Sequence, residues 1–320
     1  MWPFSWGNNY NRAIEPTKSF SLAVGGVHPG RDELVIYDEM DHERDLSDHQ
    51  LDCLTNSDVL QIEARPDFDS YAAGDGVLLV AVAPGNATVT CLIDGVDLPD
   101  AYKVTIAPQR LIQILIAEAG TQINDESSFK DGVVTLESSS PTGNAIGAVI
   151  RNRINLIEAN EMPNLFNVDY DTFNANPSAS YYDSVISAPG QFAPTNPSDP
   201  QNKIFSDAQD RNFLDGDWRD AYDQAVLTAA GIYNAEIVDP TGGAFAFFSP
   251  TEEQWSIIGQ AQINSAPELP EGCGVSNESF PAFAPLQIVI VEGIWTYEDK
   301  RPAFVFIRHR TENQPAVTSL

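Results

Sequence analysis

The stretch Arg110-Leu-Ile-Gln-Ile-Leu-Ile-Ala-Glu-Ala-Gly120 marks the point where the pattern of the chain changes. Its apolar residues recur at helical spacing, which predicts a helix with one buried face that ends at Gly120. The residues of this face are Leu111, Ile112, Leu115, Ile116 and Ala119. The same spacing predicts helices over 142–160 and 217–234, and strands follow them. The region 108–320 is therefore expected to be an α+β domain.

Ahead of this helix the sequence is typical of β-structure. Short runs rich in branched residues are separated by turn signals such as Pro84-Gly85-Asn86. The predicted strands cover 33–37, 59–63, 76–82, 87–93 and 102–106. The acidic stretch 38–52 is expected to be a solvated loop or a short helix. Residues 1–107 are therefore predicted to form a small all-β domain, either a sandwich or a barrel.

The region after the first predicted helix contains one long segment and a C-terminal group of strands. Residues 162–210 are rich in Pro, Asn, Asp, Ser and aromatic residues. A long loop inside a compact domain is usually functional, so we expect this segment to line a binding groove. Further on, a strand is predicted over 244–248, and a β-hairpin is predicted from 287–295 and 303–309.

The charge of the chain argues against two classes of partner, nucleic acids and anionic membranes. It has 46 acidic and 17 basic residues, a net charge of −29, and no basic patch that would attract a phosphate backbone or an anionic membrane. No apolar run approaches the ~20 residues that span a bilayer, and no cleavable signal peptide is recognised. We therefore expect no nucleic-acid partner and no membrane insertion.

Few residues are available for metal or thiol chemistry. The three cysteines, Cys53, Cys91 and Cys273, form no C-x-x-C pair, and the four histidines form no H-E-x-x-H motif. We expect no metal and no cofactor. For the cysteines, a Cys53–Cys91 disulfide is one alternative, and buried free thiols are the favoured one. The acidic run 207–223 lacks EF-hand spacing, so a calcium site is disfavoured there.

Glu118 is the acidic residue with the strongest catalytic pattern. It follows Leu115-Ile116-Ala117 at the end of an apolar helix. A carboxyl group in apolar surroundings has a raised pKa because burial disfavours its charged form. Such a group donates protons near neutral pH, which the cleavage of a glycosidic bond requires. The alternative is an exposed glutamate at a helix end.

Four sequence blocks surround this glutamate in a characteristic order. They are 117–119, 148–154, 182–192 with Gly190-Gln191-Phe192, and Asp239-Pro-Thr-Gly-Gly-Ala244. Over roughly residues 110–255 the chain resembles the cell-wall hydrolase family of the spore-cortex-lytic enzyme type. That family has a Glu-Ala pair on its first helix, Val-Ile-x-Asn-Arg-Val on its second, then Gln-Phe-Ser and an Asp-Pro-Thr-Gly-Gly-Ala turn. This chain departs from it after Ala119 and at Ala193, where the family has serine.

The resemblance implies a lysozyme-like fold, peptidoglycan glycan strands as the substrate, and Glu118 as the catalytic acid. It also implies that Gln191 and Phe192 line the sugar groove and that Gly242 and Gly243 form a wall of it.

Residues near these positions have two interpretations. Tyr181, Tyr182 and Phe192 either stack on sugars or belong to the core. Arg153 is favoured as a structural ion pair over a substrate contact, and Asn152 is favoured as the brace of a loop.

The choice of mechanism depends on the number of carboxylates. No second acid stands out near the helical blocks, so a lytic transglycosylase is favoured over a muramidase-type hydrolase aided by an acid from the Asn-rich loop within 162–210. The transglycosylase closes a 1,6-anhydro ring with the sugar's own 6-hydroxyl and needs one acid.

The acidic charge also predicts where such an enzyme works. A free enzyme with this charge would be repelled by an anionic bacterial envelope. An assembly that tethers the enzyme at the envelope supplies a high local concentration without electrostatic attraction. We therefore expect a virion-associated bacteriophage enzyme, or one tethered at the cell envelope, whose N-terminal β domain attaches to protein partners. The alternative is a structural or adaptor protein that retains an inactive lysozyme-like domain.

Overall fold

A computed structural model of the chain shows a mixed α/β protein with several sheets. It divides into two compact units, Met1–Pro108 and Gln109–Leu320, which are described separately below. The structure describes residues 18–25, 27–29, 36–37, 43–44, 51–65, 76–93, 96–120, 123, 140–159, 166–175, 181–263, 269–291 and 304–310.

Unit 1 is built from β-strands throughout its described part. A four-stranded sheet has the order β1-β9-β8-β5, with β1 parallel to β9, and a three-stranded sheet has the order β2-β7-β6. A third pair joins β3 and β4. The strands are β1 (Lys18–Ala23), β2 (Val27–Pro29), β3 (Ile36–Tyr37), β4 (Glu43–Arg44), β5 (Leu51–Thr55), β6 (Leu60–Arg65), β7 (Gly76–Ala81), β8 (Gly85–Ile93) and β9 (Val96–Ala107).

One hydrophobic core joins the two larger sheets of unit 1. Alternate residues of β9 are buried, among them Tyr102, Val104 and Ile106, because successive side chains point to opposite faces of a strand. Leu60 of β6 and Leu79 of β7 pack into the same cluster. The two-layer arrangement explains why alternation was visible in the sequence.

The prediction of free thiols at Cys53 and Cys91 is wrong. β5 and β8 are antiparallel neighbours in which Cys53 lies opposite Cys91. Their Cα atoms are 4.1 Å apart, and the sulfur atoms form a disulfide of 2.01 Å. The prediction of a loop or helix over 38–52 is also wrong where the chain is described, because β4 lies within this stretch and β5 begins in it. Cys273 is a buried free thiol.

Unit 2 is mainly helical in its described part and carries one sheet. Its helices are α1 (Gln109–Ala119), α2 (Pro141–Glu158), α3 (Tyr170–Ala175), α4 (Tyr181–Ile186), α5 (Asn202–Asp207), α6 (Asp217–Tyr233) and α7 (Glu252–Ile263). Its strands are β10 (Ala246–Phe248), β11 (Leu286–Val289) and β12 (Val305–His309), in the order β10-β12-β11. The segment 162–210, expected to be a long loop, contains α3, α4, α5 and a 3-10 turn over 193–195.

Helix α1 lies at the centre of unit 2. It contacts α2, α4, α5 and α6, and every residue from Leu111 to Ala117 is buried. The sequence predicted one buried face, but a helix enclosed by several neighbours is buried on all sides. Its buried polar residue Gln113 is accommodated because its Nε2 atom donates to the Phe205 carbonyl at 2.8 Å.

Helix α2 connects the helices of unit 2 to the sheet. Ala145 and Val149 of α2 pack against Phe306 of β12, and Gly147 lies against Ile232 of α6. A Cβ atom at Gly147 would lie 2.7 Å from Ile232 Cγ1, so the two helices require glycine to approach this closely. β11 and β12 pair antiparallel as the sequence predicted, and the turn expected at 298–302 lies outside the described residues. In the described part of the chain, no helix combines the length and apolar character needed to cross a membrane.

Candidate functional site

Glu118 lies at the last turn of α1, where the buried helix reaches partly exposed surroundings. The helix places apolar residues on all sides of the preceding turn, and Glu118 itself is only partly buried. Burial, and after it the charge of Asp199, raise the pKa of Glu118 against the opposing charge of Arg153, to about 7 in all. A carboxyl group with this pKa is present in both protonation states near neutral pH, so it can donate and accept a proton.

Arg153 is the buried cation beside this glutamate. Its Nε atom donates to the Phe245 carbonyl at 2.6 Å, and its Nη1 atom donates to Gln191 Oε1 at 3.2 Å. Its guanidinium group lies 4.6 Å from the ring centroid of Phe192 and 5.2 Å from that of Phe166. Burial lowers the pKa of Arg153 to about 10 and Glu118 opposes this, so the guanidinium stays charged near neutral pH.

Arg153 thus connects two of the sequence blocks to the glutamate. It orients Gln191 through a side-chain contact and packs on Phe192, which is 4% exposed. Its direct partners in the described part of the chain are carbonyl groups, an amide and aromatic rings, and its charged neighbour is Glu118. Arg153 therefore braces the site while supplying a positive charge to it.

A second group of contacts holds the turn 239–244. The Asp239 carboxylate accepts hydrogen bonds from Asn152 Nδ2 at 2.9 Å, from Thr241 N at 2.7 Å and from Gly243 N at 2.7 Å. Burial alone would raise the pKa of Asp239, but the hydrogen bonds from Thr241, Asn152 and Gly243 outweigh it and lower the pKa. Gly242 and Gly243 have φ angles of 62° and 92°, which favour glycine in this turn.

Asn152 therefore braces a loop, as the sequence indicated. Its Nδ2 atom also donates to the Ala244 carbonyl at 2.9 Å, immediately before β10. Since Arg153 contacts the next residue, Phe245, the two neighbours on α2 together fix the end of the turn. The blocks at 148–154, 190–192 and 239–244 are thereby joined by direct contacts, and Arg153 relates them electrostatically to Glu118.

Asp199 is the residue that sequence reasoning did not name. It lies after the 3-10 turn 193–195, where its Oδ1 atom accepts from Gln201 N at 2.8 Å. Its charge is the second largest contribution to the pKa of Glu118, after burial. The sequence indicated this residue only in general terms. It predicted that some acid of the Asn-rich loop would assist if the reaction were hydrolysis, but it did not indicate which one.

The two tyrosines lie away from these contacts. Tyr181 stacks on Phe173 with centroids 4.1 Å apart, and Tyr182 is buried 6.0 Å from the Tyr233 ring. Burial raises the pKa of Tyr182, and Arg151 opposes the increase. The described contacts therefore assign Tyr182 to the core interpretation and do not bring Tyr181 to Glu118.

A cavity of about 600 Å³ opens beside the loop that carries Phe192. Of the predicted binding residues, Phe192 lines this cavity. The other predicted binding residues in the described part of the chain do not line it; they are Gln191, Tyr181, Tyr182, Gly242 and Gly243. Glu118 is likewise not among its lining residues. Across the described ranges, no group of three or more His, Cys, Asp or Glu side chains is arranged to hold a metal ion.

The chain matches no protein-family model, no curated protein and no solved structure.

Proposed function

We propose that unit 2 cleaves the glycan strands of peptidoglycan with Glu118 as the general acid and base. The observation that carries this proposal is the carboxyl group at the end of α1, whose pKa is raised to about 7 by burial and by Asp199. A glycosidase acid needs such a shift, because an ordinary glutamate is ionised at neutral pH. The partly exposed position gives a substrate access to the group.

The sequence blocks support the assignment to this substrate class. The four motifs that resemble the cell-wall hydrolase family are separated by up to about 120 residues in the chain, and three of them meet through the contacts of Asn152, Arg153 and Asp239. Glu118, from the remaining block, interacts electrostatically with Arg153. A lysozyme-like arrangement of these helices is part of the proposal.

The mechanism begins with proton donation. Protonated Glu118 gives its proton to the bridging oxygen of the glycosidic bond, the bond breaks, and positive charge develops on the sugar. The resulting Glu118 carboxylate is stabilised by the nearby charge of Arg153. In the lytic transglycosylase route, the carboxylate then accepts the proton of the sugar's 6-hydroxyl, whose oxygen closes the 1,6-anhydro ring.

Hydrolysis is the second route for the same bond. Here a carboxylate near the acid activates or orients a water molecule, and Asp199 is the described acid that interacts with Glu118. Asp199 comes from the Asn-rich segment in which such an acid was expected. The products distinguish the routes, since transglycosylation leaves 1,6-anhydro ends and hydrolysis leaves reducing ends.

A virion-associated location in a bacteriophage completes the proposal, with unit 1 attaching the enzyme to protein partners. The Cys53–Cys91 disulfide supports a setting of this kind, because disulfides persist in oxidising surroundings such as virion surfaces. The net charge of −29 supports tethering, since a free acidic enzyme is repelled by an anionic envelope.

The test is the digestion of purified peptidoglycan by Glu118→Gln beside the wild type. Glutamine keeps the shape of the side chain but does not donate a proton as an acid, so cleavage should fall by about 10²–10⁴-fold while folding is retained. Glu158→Gln is the matched control, because Glu158 is an exposed glutamate at the end of α2. Mass spectrometry of the wild-type products should show 1,6-anhydro ends.

Two results would contradict the proposal. Full activity of Glu118→Gln would remove the catalytic assignment. A folded wild type that never cleaves glycan, but assembles with its partners, would favour the structural or adaptor protein.

A further inference from the structure

The cavity in unit 2 has the size and lining of a small-molecule site. Its volume of about 600 Å³ lies in the usual range for ligand pockets, about 300–1,000 Å³. It is formed by the first turn of α1, the loop 187–197 and α5. The lining residues that carry the argument are Arg110, Ser187, Phe192, Thr195, Asn196 and Phe205.

The charge of this lining is opposite to that of the whole chain. The described lining includes no acidic residue, and its one charged side chain is Arg110. In a chain with 46 acidic and 17 basic residues, most surfaces carry the opposite sign. An anionic ligand is therefore compatible with this cavity although the protein as a whole repels anions.

Arg110 is held in a fixed orientation. Its Nη1 atom donates to Gln113 Oε1 at 3.2 Å, and its guanidinium group lies 5.4 Å from the ring centroid of Phe205. Gln113 is itself fixed by its bond to the Phe205 carbonyl. Asp183 interacts with Arg110 electrostatically, but the described contacts show no ion pair between them. The guanidinium thus keeps further N–H donors for a ligand.

The remaining lining indicates which anion fits. A guanidinium group binds carboxylates in a bidentate manner, and Ser187 and Asn196 add a hydroxyl and an amide group to the lining. The Thr195 hydroxyl already donates to the Phe192 carbonyl at 2.8 Å. Phe192 and Phe205 offer an apolar surface next to them. One cation beside aromatic rings suits a monoanion with an attached apolar part better than a phosphate dianion.

We propose that this cavity binds a carboxylate-bearing peptide group, with the carboxylate on Arg110 and the apolar part against Phe192 and Phe205. The inference rests on the proposed function, because it identifies the occupant as the peptide stem carried by muramic acid in the glycan strand. Arg110 and Glu118 are eight residues apart on α1, which places them ~12 Å apart along the helix axis. The stem would therefore bind beside the cleaved bond and not at it.

Calorimetric titration of the full chain with N-acetylmuramyl-L-alanyl-D-isoglutamine tests this site, because the probe carries a carboxylate and no glycosidic bond to cleave. The same compound with its carboxyl group amidated is the matched ligand. Loss of a charge-assisted bidentate contact should weaken binding by about tenfold to a hundredfold for the amidated compound, and equally for Arg110→Gln with the acid. Arg219→Gln, at an exposed arginine of α6, should bind as the wild type does.

Equal affinities for the acid and the amide, or unchanged affinity of Arg110→Gln, would overturn the inference. If Arg110→Gln fails to fold, the comparison of the two ligands on the wild type still decides it. A wild type that cleaves glycan but shows no carboxylate preference retains the proposed function and loses this site. A wild type that binds the acid through Arg110 but never cleaves glycan retains the site and loses the proposed function.

Discussion

Glu118 and Asp239 are both partly buried carboxylates of unit 2, yet their pKa values are shifted in opposite directions. Burial and the charge of Asp199 together raise the pKa of Glu118 to about 7. Burial acts on Asp239 in the same direction, but hydrogen bonds led by those from Thr241 and Asn152 lower its pKa. The opposite direction at Asp239 comes from its hydrogen bonds, which outweigh burial there, whereas burial and a neighbouring charge act together at Glu118.

This difference is consistent with the proposed chemical role of Glu118 and with a structural role of Asp239. Asp239 accepts four hydrogen bonds that fix the turn before β10, so its carboxylate stays ionised at neutral pH. No hydrogen bond contributes to the pKa of Glu118 among the described residues, so its proton is available for transfer. A partly buried acid with a raised pKa is costly to the fold, which is typical of a functional group.

The largest loss of stability is expected from Asp239→Ala. The substitution leaves Asn152 and the turn amides without their acceptor, which should lower the free energy of unfolding by about 2–3 kcal/mol. Chemical denaturation measures the change, and cleavage by the remaining folded molecules should be retained. Asp171→Ala, at an exposed aspartate of α3, is the control. A loss no larger than that of the control would show that the Asp239 network does not hold the turn.

The pH dependence of stability should differ in sign between the two carboxylates. The pKa of Glu118 is higher in the folded than in the unfolded chain, so its contribution is fully present below about pH 4.5 and is lost as the pH rises through about 7. The pKa of Asp239 is lower in the folded chain than its ordinary value of 3.8. Its contribution to stability is therefore present above pH 3.8 and is lost as the pH falls through the pKa of the folded chain.

Glu118→Gln should therefore gain stability relative to the wild type between about pH 5 and about pH 8, by up to about 3 kcal/mol. Denaturation at both pH values measures this gain. A constant difference between the two proteins across this range would contradict a raised pKa at Glu118.

The smallest effect is expected from Asp199→Asn. Removing this negative charge should lower the pKa of Glu118 and move the pH profile of cleavage to lower pH, with a modest loss of maximal rate. Asp220→Asn, at an exposed aspartate of α6, serves as the control for removal of one negative charge. A loss of about 10²-fold or more without a shift of the profile would instead assign Asp199 to hydrolysis.

Local periodicity was sufficient to predict much of the fold. The helical spacing of Leu111, Ile112 and Leu115 predicted α1, and α2 and α6 begin and end within two residues of the predicted bounds. Alternation in β8 and β9 predicted strands in the same way. The burial of Gln113 and Ile114 was not predictable, because it depends on neighbours that enclose α1 on all sides.

The sequence did not predict the features that depend on contacts between distant segments. The Cys53–Cys91 disulfide requires β5 beside β8, and β5 begins in a stretch whose acidic composition favoured a loop. Asp199 is one of many aspartates, and only the folded chain brings it near Glu118. The cavity at Arg110 joins α1 to a loop about 80 residues away, so its lining has no local signal.

The most direct test of the account is the pKa of Glu118 itself, measured by carboxyl-carbon NMR titration of the full chain with Glu118→Gln to assign the signal. The account predicts a midpoint at about 7 for Glu118. A midpoint near the ordinary glutamate value of 4.5 would contradict it, because Glu118 would then be ionised at neutral pH and could not act as the proton donor.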